Sequence, residues 1–164
     1  MKLLLVRHAA AVPSGTPGIA DDDRPLTPKG RAKFEKAARG LARVAPRPDV
    51  LLTSPLPRAR AKAEIAADAF GRVEPTVEPA LAEGGVAGIL SAIARHAKAE
   101  TVGAVGHEPT LSAVLAKLLG AHGSAGLEFK KGGAALVDLP RGPMGEARLV
   151  WFLRPRILRD LAKL

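Results

Sequence analysis

Leu3-Leu4-Leu5-Val6-Arg7-His8-Ala9 is the stretch that decides the fold of this chain. Its apolar run ends abruptly in an arginine and a histidine, which is typical of a buried strand that delivers polar groups to the edge of a sheet. In open α/β sheets, ligands bind just beyond the carboxyl ends of the strands. An imidazole placed there can attack phosphorus while a neighbouring guanidinium holds the phosphoryl oxygens. An exposed polar turn after a strand would have the same sequence pattern. A catalytic role for Arg7 and His8 therefore depends on further polar residues elsewhere in the chain.

Length and composition indicate one globular domain spanning residues 1–164. The chain is 47% hydrophobic and only 3% aromatic, which suits an α/β protein rich in small residues. It contains no cysteine, which excludes disulfides, zinc–thiolate sites and phosphatases with a cysteine nucleophile. The start of the chain does not resemble a signal peptide, and no apolar run is long enough to span a membrane. We therefore expect a cytoplasmic protein and a monomer.

The net charge of +9 favours anionic partners, among which nucleic acid, membrane surfaces and phosphorylated substrates are the candidates. The basic residues are spread along the chain, few aromatics are present to stack bases, and no zinc-finger or RNA-binding pattern occurs. We expect a phosphorylated protein or a small phosphorylated substrate, without a nucleic-acid or membrane partner.

Further strands and helices alternate along the chain. Residues 9–25 have the composition of a long loop across the mouth of the first strand. Thr27 and Pro28 predict a helix start. The patterns predict strands over 49–52, 101–105, 134–139 and 147–153, and helices over 28–41, 57–70, 86–93, 111–119 and 155–164. This order predicts a three-layer α/β/α sandwich with a mostly parallel central sheet.

Polar residues follow three of the predicted strands: Arg7-His8, Ser54-Pro55-Leu56-Pro57-Arg58 and Gly106-His107. Two imidazoles and two guanidiniums at one sheet edge make a site for a dianionic phosphoryl group. One histidine would attack in line, while the cations take over the task that a metal performs elsewhere. The chain has no Gly-rich phosphate loop and no Asp-x-Asp nucleophile motif. We expect no cofactor and no metal.

Four segments together resemble the histidine phosphatase superfamily, and most closely its short SixA-like phosphohistidine phosphatases. They occur in family order between residues 1 and about 120, and they are Val6-Arg7-His8-Ala9, Arg24-Pro25-Leu26-Thr27-Pro28-Lys29-Gly30, Leu52-Thr53-Ser54-Pro55-Leu56-Pro57-Arg58-Ala59 and Val105-Gly106-His107-Glu108-Pro109. The small size and the Gly-His-x-Pro form of the last segment favour the SixA-like branch.

The resemblance implies a phosphoglycerate mutase-like fold and a phosphoenzyme mechanism. His8 would be the nucleophile, Arg7 and Arg58 the phosphate clamps, and His107 the second histidine of the pocket. By the same resemblance Glu108, inside the last segment, is a candidate for substrate binding.

This chain departs from the family pattern at three places. Ala9 replaces the glycine common in Arg-His-Gly, and Lys62-Ala63 stands where the family often has Thr-Ala. Lys62 follows Arg58 by four residues and is a candidate to add charge near the substrate. Larger members carry an acid in a Leu-x-Glu setting that SixA-like chains commonly lack. Glu83 lies in such a setting here, so it is a candidate proton donor, with an ordinary loop glutamate as the alternative.

Other polar residues are weaker candidates. Asp21, Asp22 and Asp23 could bind a divalent cation, although adjacent carboxylates in a Pro/Gly-rich loop are usually solvated. His96 and His122 have no partners at ligand spacing and are interpreted as surface residues.

The sequence thus predicts a metal-independent phosphohistidine phosphatase that acts through a phosphohistidine intermediate on His8. Two alternatives remain open. One is a phosphatase of the same fold acting on small phosphate monoesters or polyphosphate, and the other is a phosphate-binding module without catalysis.

Overall fold

The structure is a computed structural model that describes all residues, 1–164. Its strands are β1 (Lys2–Arg7), β2 (Val50–Thr53), β3 (Pro75–Val77), β4 (Thr101–Gly106), β5 (Ala134–Asp138) and β6 (Arg148–Leu153). Its helices are α1 (Pro28–Val44), α2 (Pro57–Ala69), α3 (Ala80–Glu83), α4 (Gly85–Ala94), α5 (Thr110–Leu118) and α6 (Pro155–Leu161), with a short 3-10 helix at Asp21–Asp23.

All six strands form one sheet in the order β3-β2-β4-β1-β5-β6. The pairs β2–β3, β2–β4 and β1–β4 are parallel, whereas β5 pairs antiparallel with both β1 and β6. Only β5 therefore runs against the other strands. The carboxyl ends of β2, β4 and β1 lie side by side at one edge of the sheet, as the sequence predicts.

Helices cover both faces of the sheet, which explains why β1 is apolar without alternation. Leu4 and Val6 pack into one hydrophobic core with residues of α1, α2 and α6. Leu3 and Leu5 point to the other face and pack with residues of α4 and α5. These two cores confirm the three-layer α/β/α prediction.

Helix α1 begins and packs as its sequence indicates. The Thr27 side chain accepts a hydrogen bond from the Gly30 backbone N–H at 2.9 Å and so caps the helix. Farther along, Gly40 allows α6 to approach closely, because a Cβ there would lie 1.7 Å from the Leu158 carbonyl oxygen. The C-terminal helix is thereby held against the helix that follows the β1 loop.

Two details differ from the prediction. Strand β3 was not predicted, because it has three residues, lies at the sheet edge and exposes Thr76 and Val77. The region before the predicted helix at 86–93 is also helical, and α3 is separated from α4 at Gly84 and Gly85. No helix of the structure has the length and apolar character required to cross a membrane.

Candidate active site

The sheet register places His8 and His107 side by side. Arg7 pairs with Gly106 at the ends of β1 and β4, so the next residue on each strand, His8 or His107, lies just beyond the sheet. The His8 backbone N–H donates to the Gly106 carbonyl at 3.1 Å. The two imidazole rings are 5.0 Å apart between centroids and tilted by 48°. The sequence-predicted pair is therefore assembled by parallel strand pairing.

A backbone hydrogen bond determines which nitrogen of His8 can react. The Nδ1 atom lies 2.7 Å from the carbonyl oxygen of Ala9, which can only accept a hydrogen bond. The proton of the neutral ring therefore resides on Nδ1, and Nε2 keeps its lone pair. This tautomer has a nucleophilic nitrogen directed away from the backbone.

Burial keeps both histidines neutral at physiological pH. It lowers the pKa of His8 from 6.5 to about 3, with a smaller lowering by nearby His107 and Lys62 and an opposing effect of the Ala9 carbonyl. Burial, followed by Arg58 and Arg7, likewise lowers the pKa of His107 to about 4. A nucleophile with an unprotonated Nε2 is therefore available near neutral pH.

Ser54, immediately after β2, joins the site through His107. Its Oγ lies 2.8 Å from His107 Nε2 and also accepts a hydrogen bond from the Leu56 backbone N–H at 3.3 Å. Ser54 was not among the residues predicted for the site. Its position directly after a strand, in the segment that carries Arg58, is the signal in the sequence that points to it.

Arg7 is fixed at three points. Its guanidinium donates through Nη1 to the Phe129 carbonyl, its backbone N–H donates to the Gly133 carbonyl at 3.0 Å, and its own carbonyl accepts from Lys62 Nζ. The loop before β5 and helix α2 therefore both hold this arginine at the end of β1.

Arg58 enters the site from the first turn of α2. Its side chain is buried, and its Nη1 donates to the Asp21 carbonyl at 3.0 Å, which ties the loop over residues 9–25 to the site. Burial, followed by the neighbouring Arg24 cation, lowers the pKa of Arg58, yet a guanidinium stays charged at neutral pH.

Three buried side-chain nitrogens in the protein have no hydrogen-bond partner, and all three belong to this site. They are Arg7 Nε, Arg58 Nε and His107 Nδ1. Native proteins pair nearly all buried polar atoms, because an unsatisfied one costs roughly 1–3 kcal/mol. The concentration of such atoms around one sheet edge is the signature of a place that receives a polar ligand.

Glu108 is engaged with the protein itself. The Ser112 hydroxyl donates to its carboxylate at 2.7 Å, and the Phe129 backbone N–H donates to it at 2.8 Å. Because the Phe129 carbonyl in turn accepts from Arg7, Glu108 supports the clamp arginine through the backbone of Phe129. Direct substrate binding by Glu108 stays a prediction.

Lys62 and Glu83 occupy contrasting environments. Lys62 is completely buried, with its ammonium against the Arg7 carbonyl rather than open to solvent. Glu83 is exposed at the end of α3, and no hydrogen bond or ion pair joins it to the other site residues. The structure thus brings together His8, His107, Arg7 and Arg58, with Lys62 beneath them and Glu83 apart. A role for Glu83 as proton donor remains a prediction.

Asp21, the first residue of the acidic run Asp21–Asp23, has a structural role. Asp21 accepts hydrogen bonds from Ser14 Oγ at 2.5 Å and from Arg24 Nη2 at 3.3 Å. No group of three or more histidine, aspartate or glutamate side chains is arranged so that it could hold a metal ion.

Comparison with known proteins gives concordant results. Residues 3–88 match the model of the histidine phosphatase superfamily, branch 1. A SixA protein from Agrobacterium tumefaciens, named as a candidate phosphohistidine phosphatase, is 31% identical, with a TM-score of 0.81 over 94% of this chain and 98% of that one. No curated protein sequence matches.

Two less similar structures share the fold. The protein histidine phosphatase SixA in complex with tungstate is 23% identical, with a TM-score of 0.81 over 96% of this chain and 99% of that one. A candidate alpha-ribazole-5'-P phosphatase from Escherichia coli K-12 is 17% identical, with a TM-score of 0.76 over 94% and 97% of the two chains.

The chain belongs to the histidine phosphatase superfamily, and that membership supports phosphatase activity. Within that superfamily it is similar to SixA proteins along almost its whole length. The predicted family and fold are thereby confirmed.

We expect the buried histidines to make the fold sensitive to acid. In the unfolded chain both histidines bind a proton near pH 6.5. In the folded protein His107 binds one only near pH 4 and His8 only near pH 3. The free energy of unfolding should therefore fall as the pH drops from 6.5 towards 4. Urea unfolding at pH 7 and pH 4.5 should show a smaller loss in His107→Gln than in the wild type.

The matched control is His122→Gln, because His122 is exposed. It should keep the wild-type difference between the two pH values. An equal loss in His107→Gln and in the wild type would contradict the neutral, buried state of His107.

Proposed function

We propose that this protein is a metal-independent phosphohistidine phosphatase that forms a phosphorylated intermediate on His8. The observation that carries the proposal is the set of three unpartnered buried nitrogens, all on the residues surrounding the nucleophile. A phosphoryl group brings three acceptor oxygens to these cationic side chains. The site combines a free imidazole nitrogen with two guanidiniums.

In the first step, His8 Nε2 attacks phosphorus and the bond between phosphorus and the substrate imidazole breaks. That imidazole leaves as a neutral molecule, because its other nitrogen already carries a proton. In the second step, water attacks phosphorus and the bond to His8 Nε2 breaks, releasing inorganic phosphate that carries both protons of the water. His8 returns to its neutral form, with Nδ1–H still bonded to the Ala9 carbonyl.

The two arginines supply the charge that stabilises phosphoryl transfer. Planar guanidiniums can contact two oxygens at once and cannot lose their proton near neutral pH. His107 can add a third contact through Nδ1, the atom without a partner: when Ser54 Oγ donates to Nε2, the proton of the neutral His107 ring resides on Nδ1. Since these groups are held before substrate arrives, they need little reorganisation during the reaction.

A phosphorylated protein is the favoured substrate. A cavity of about 300 Å³ is lined by Ala9, the residue after the nucleophile, and by the cationic side chains of Lys33, Lys131 and Arg159, none of which is paired with a carboxylate. The side chains of His8, His107, Arg7 and Arg58 do not line it. This basic surface suits the acidic side chains of a protein partner. The likeness to SixA proteins supports the same substrate class, whereas the likeness to a ribazole phosphatase keeps small phosphate monoesters as the second candidate.

A trapped intermediate tests the reaction. Acid-labile, base-stable phosphate should appear on the wild-type protein when turnover with a phosphohistidine protein is quenched, because a phosphoramidate has that stability. His8→Ala should abolish labelling and lower turnover by about 10³-fold or more, whereas His122→Ala should change neither. Labelling should persist in excess chelator. Retention of turnover in His8→Ala would refute the mechanism.

Glu83→Gln separates the two substrate classes. Alkyl phosphates expel a strongly basic alkoxide, so a positioned acid should matter by about 10²–10⁴-fold. Phosphohistidine expels a neutral imidazole and needs no such help. We expect the variant to cleave phosphohistidine at nearly the wild-type rate while losing any side activity on alkyl phosphates. The exposed Glu74→Gln variant is the control, and a large loss on both substrates would favour a phosphomonoesterase.

Reversing the charge of the basic cavity tests the partner. We expect Lys33→Glu combined with Lys131→Glu to raise KM for a phosphohistidine protein about 10-fold, equivalent to ~1.4 kcal/mol. KM for a small aryl phosphate should stay within about 2-fold, because such a substrate does not reach the cavity. Lys36→Glu, on the same helix but outside the cavity, is the control. Equal effects on both substrates would contradict a docking role.

A further inference from the structure

We propose that Lys62 is a positioning residue of the active site, whose buried ammonium holds the peptide joining Arg7 to His8. This inference rests on the proposed function, since it concerns how the nucleophile and the clamp are aligned. Lys62 itself does not touch the reacting atoms in this proposal. It acts on catalysis through the backbone of the two residues that do.

The burial of Lys62 is the first observation. The side chain is 0% exposed and is one of the largest fully buried side chains in the protein. Three ion pairs occur in the structure, and Lys62 belongs to none of them. A buried lysine without a carboxylate is costly, because the ammonium loses its hydration without gaining a counter-charge. A core position in need of apolar volume alone would favour methionine or leucine.

The contacts of the ammonium are the second observation. Nζ donates one hydrogen bond, to the Arg7 carbonyl, and lies 3.7 Å from the centroid of the Phe34 ring. A Cβ on Gly132 would stand 3.8 Å from Nζ, so the loop before β5 also closes over it. Backbone, ring and loop therefore surround a cation that is fixed in place, although its polar contacts are few.

The place of the Arg7 carbonyl in the backbone explains why its contact with Lys62 matters. The Arg7 carbonyl and the His8 N–H belong to the same peptide group. Lys62 holds the oxygen side of that peptide, while the Gly106 carbonyl holds its N–H side at 3.1 Å. The peptide is thus clamped from α2 and from β4, and the directions of both the Arg7 and the His8 side chains follow from its plane.

The energetic cost of burying Lys62 also supports a positioning role. It holds the pKa of Lys62 well below its ordinary value, and the nearby Arg7 guanidinium lowers it further. A lysine in such surroundings weakens the folded state. Catalytic sites commonly keep features that are unfavourable for stability but needed for activity. Lys62 fits that description, because its one hydrogen bond ends on the active-site peptide.

The experiment compares Lys62→Met with the wild type for stability and turnover together. Methionine has a similar length and no charge, so the thermal midpoint should stay the same or rise. The turnover number should fall about 10-fold or more, since small misplacements of reacting groups lower rates strongly. Loss of stability in proportion to loss of activity would instead indicate a merely structural lysine, and a variant that fails to fold would overturn the proposal in the same way.

Lys62→Gln separates the hydrogen bond from the charge. Glutamine keeps an N–H donor for the Arg7 carbonyl, so it should recover part of the turnover number that Lys62→Met loses. Lys36→Met, which removes an exposed lysine, should leave both measurements at wild-type values. Wild-type turnover in Lys62→Met would overturn the positioning role. Labelling of His8 in the wild-type protein is measured separately, so failure of the phosphoenzyme mechanism would be recognised independently of these variants.

Discussion

Parallel pairing between β1 and β4 is the constraint on which the rest of the site depends. With Arg7 opposite Gly106, the residues that follow each strand meet above the sheet. A slip of one residue would turn every β1 side chain to the opposite face. Both faces of β1 are buried under helices, so such a slip would also disrupt the two hydrophobic cores. The packing that stabilises the domain therefore also determines where the nucleophile lies.

The same burial produces the electrostatics of the site. Desolvation is the largest cause of the lowered pKa of both His8 and His107, and the neighbouring cations act in the same direction. In many enzymes a carboxylate orients the catalytic histidine by accepting a hydrogen bond from its ring. Here the Ala9 carbonyl orients the His8 ring, and burial keeps it neutral. The nucleophile can therefore share a pocket with cations that attract its substrate.

The sequence allows prediction of the residues that occupy strand ends, because strand periodicity and the order of strands and helices are local features. Arg7, His8 and His107 are predicted in this way, and the register of β1 and β4 places them together. The family resemblance added the assignment of roles. Strand β3 could not be predicted, since a short exposed edge strand carries little hydrophobic signal.

The contacts that Ser54 and Lys62 make with the site residues could not be predicted for a different reason. The Ser54 hydroxyl meets His107 only because β2 and β4 are neighbours. Lys62 meets the Arg7 carbonyl only because α2 covers the face of the sheet on which Leu4 and Val6 lie. Such contacts join residues far apart in the chain and depend on side-chain directions inside the core. From the sequence, Lys62 was expected to be a charge near the substrate. Its burial beneath the peptide could be seen only in three dimensions.

One pattern connects the cations of the site. Each donates to a backbone carbonyl: Arg7 to Phe129, Arg58 to Asp21 and Lys62 to Arg7. A carboxylate would hold a cation equally well, but it would also neutralise the charge and repel the phosphoryl group. Two acids beside the site follow this logic. Glu108 directs its carboxylate to Ser112 and to the Phe129 N–H, and Asp21 offers Arg58 its main-chain oxygen while its carboxylate bonds elsewhere. Neutral dipoles thus fix the geometry of all three cations, and the positive charge of the two arginines stays available for an anionic substrate.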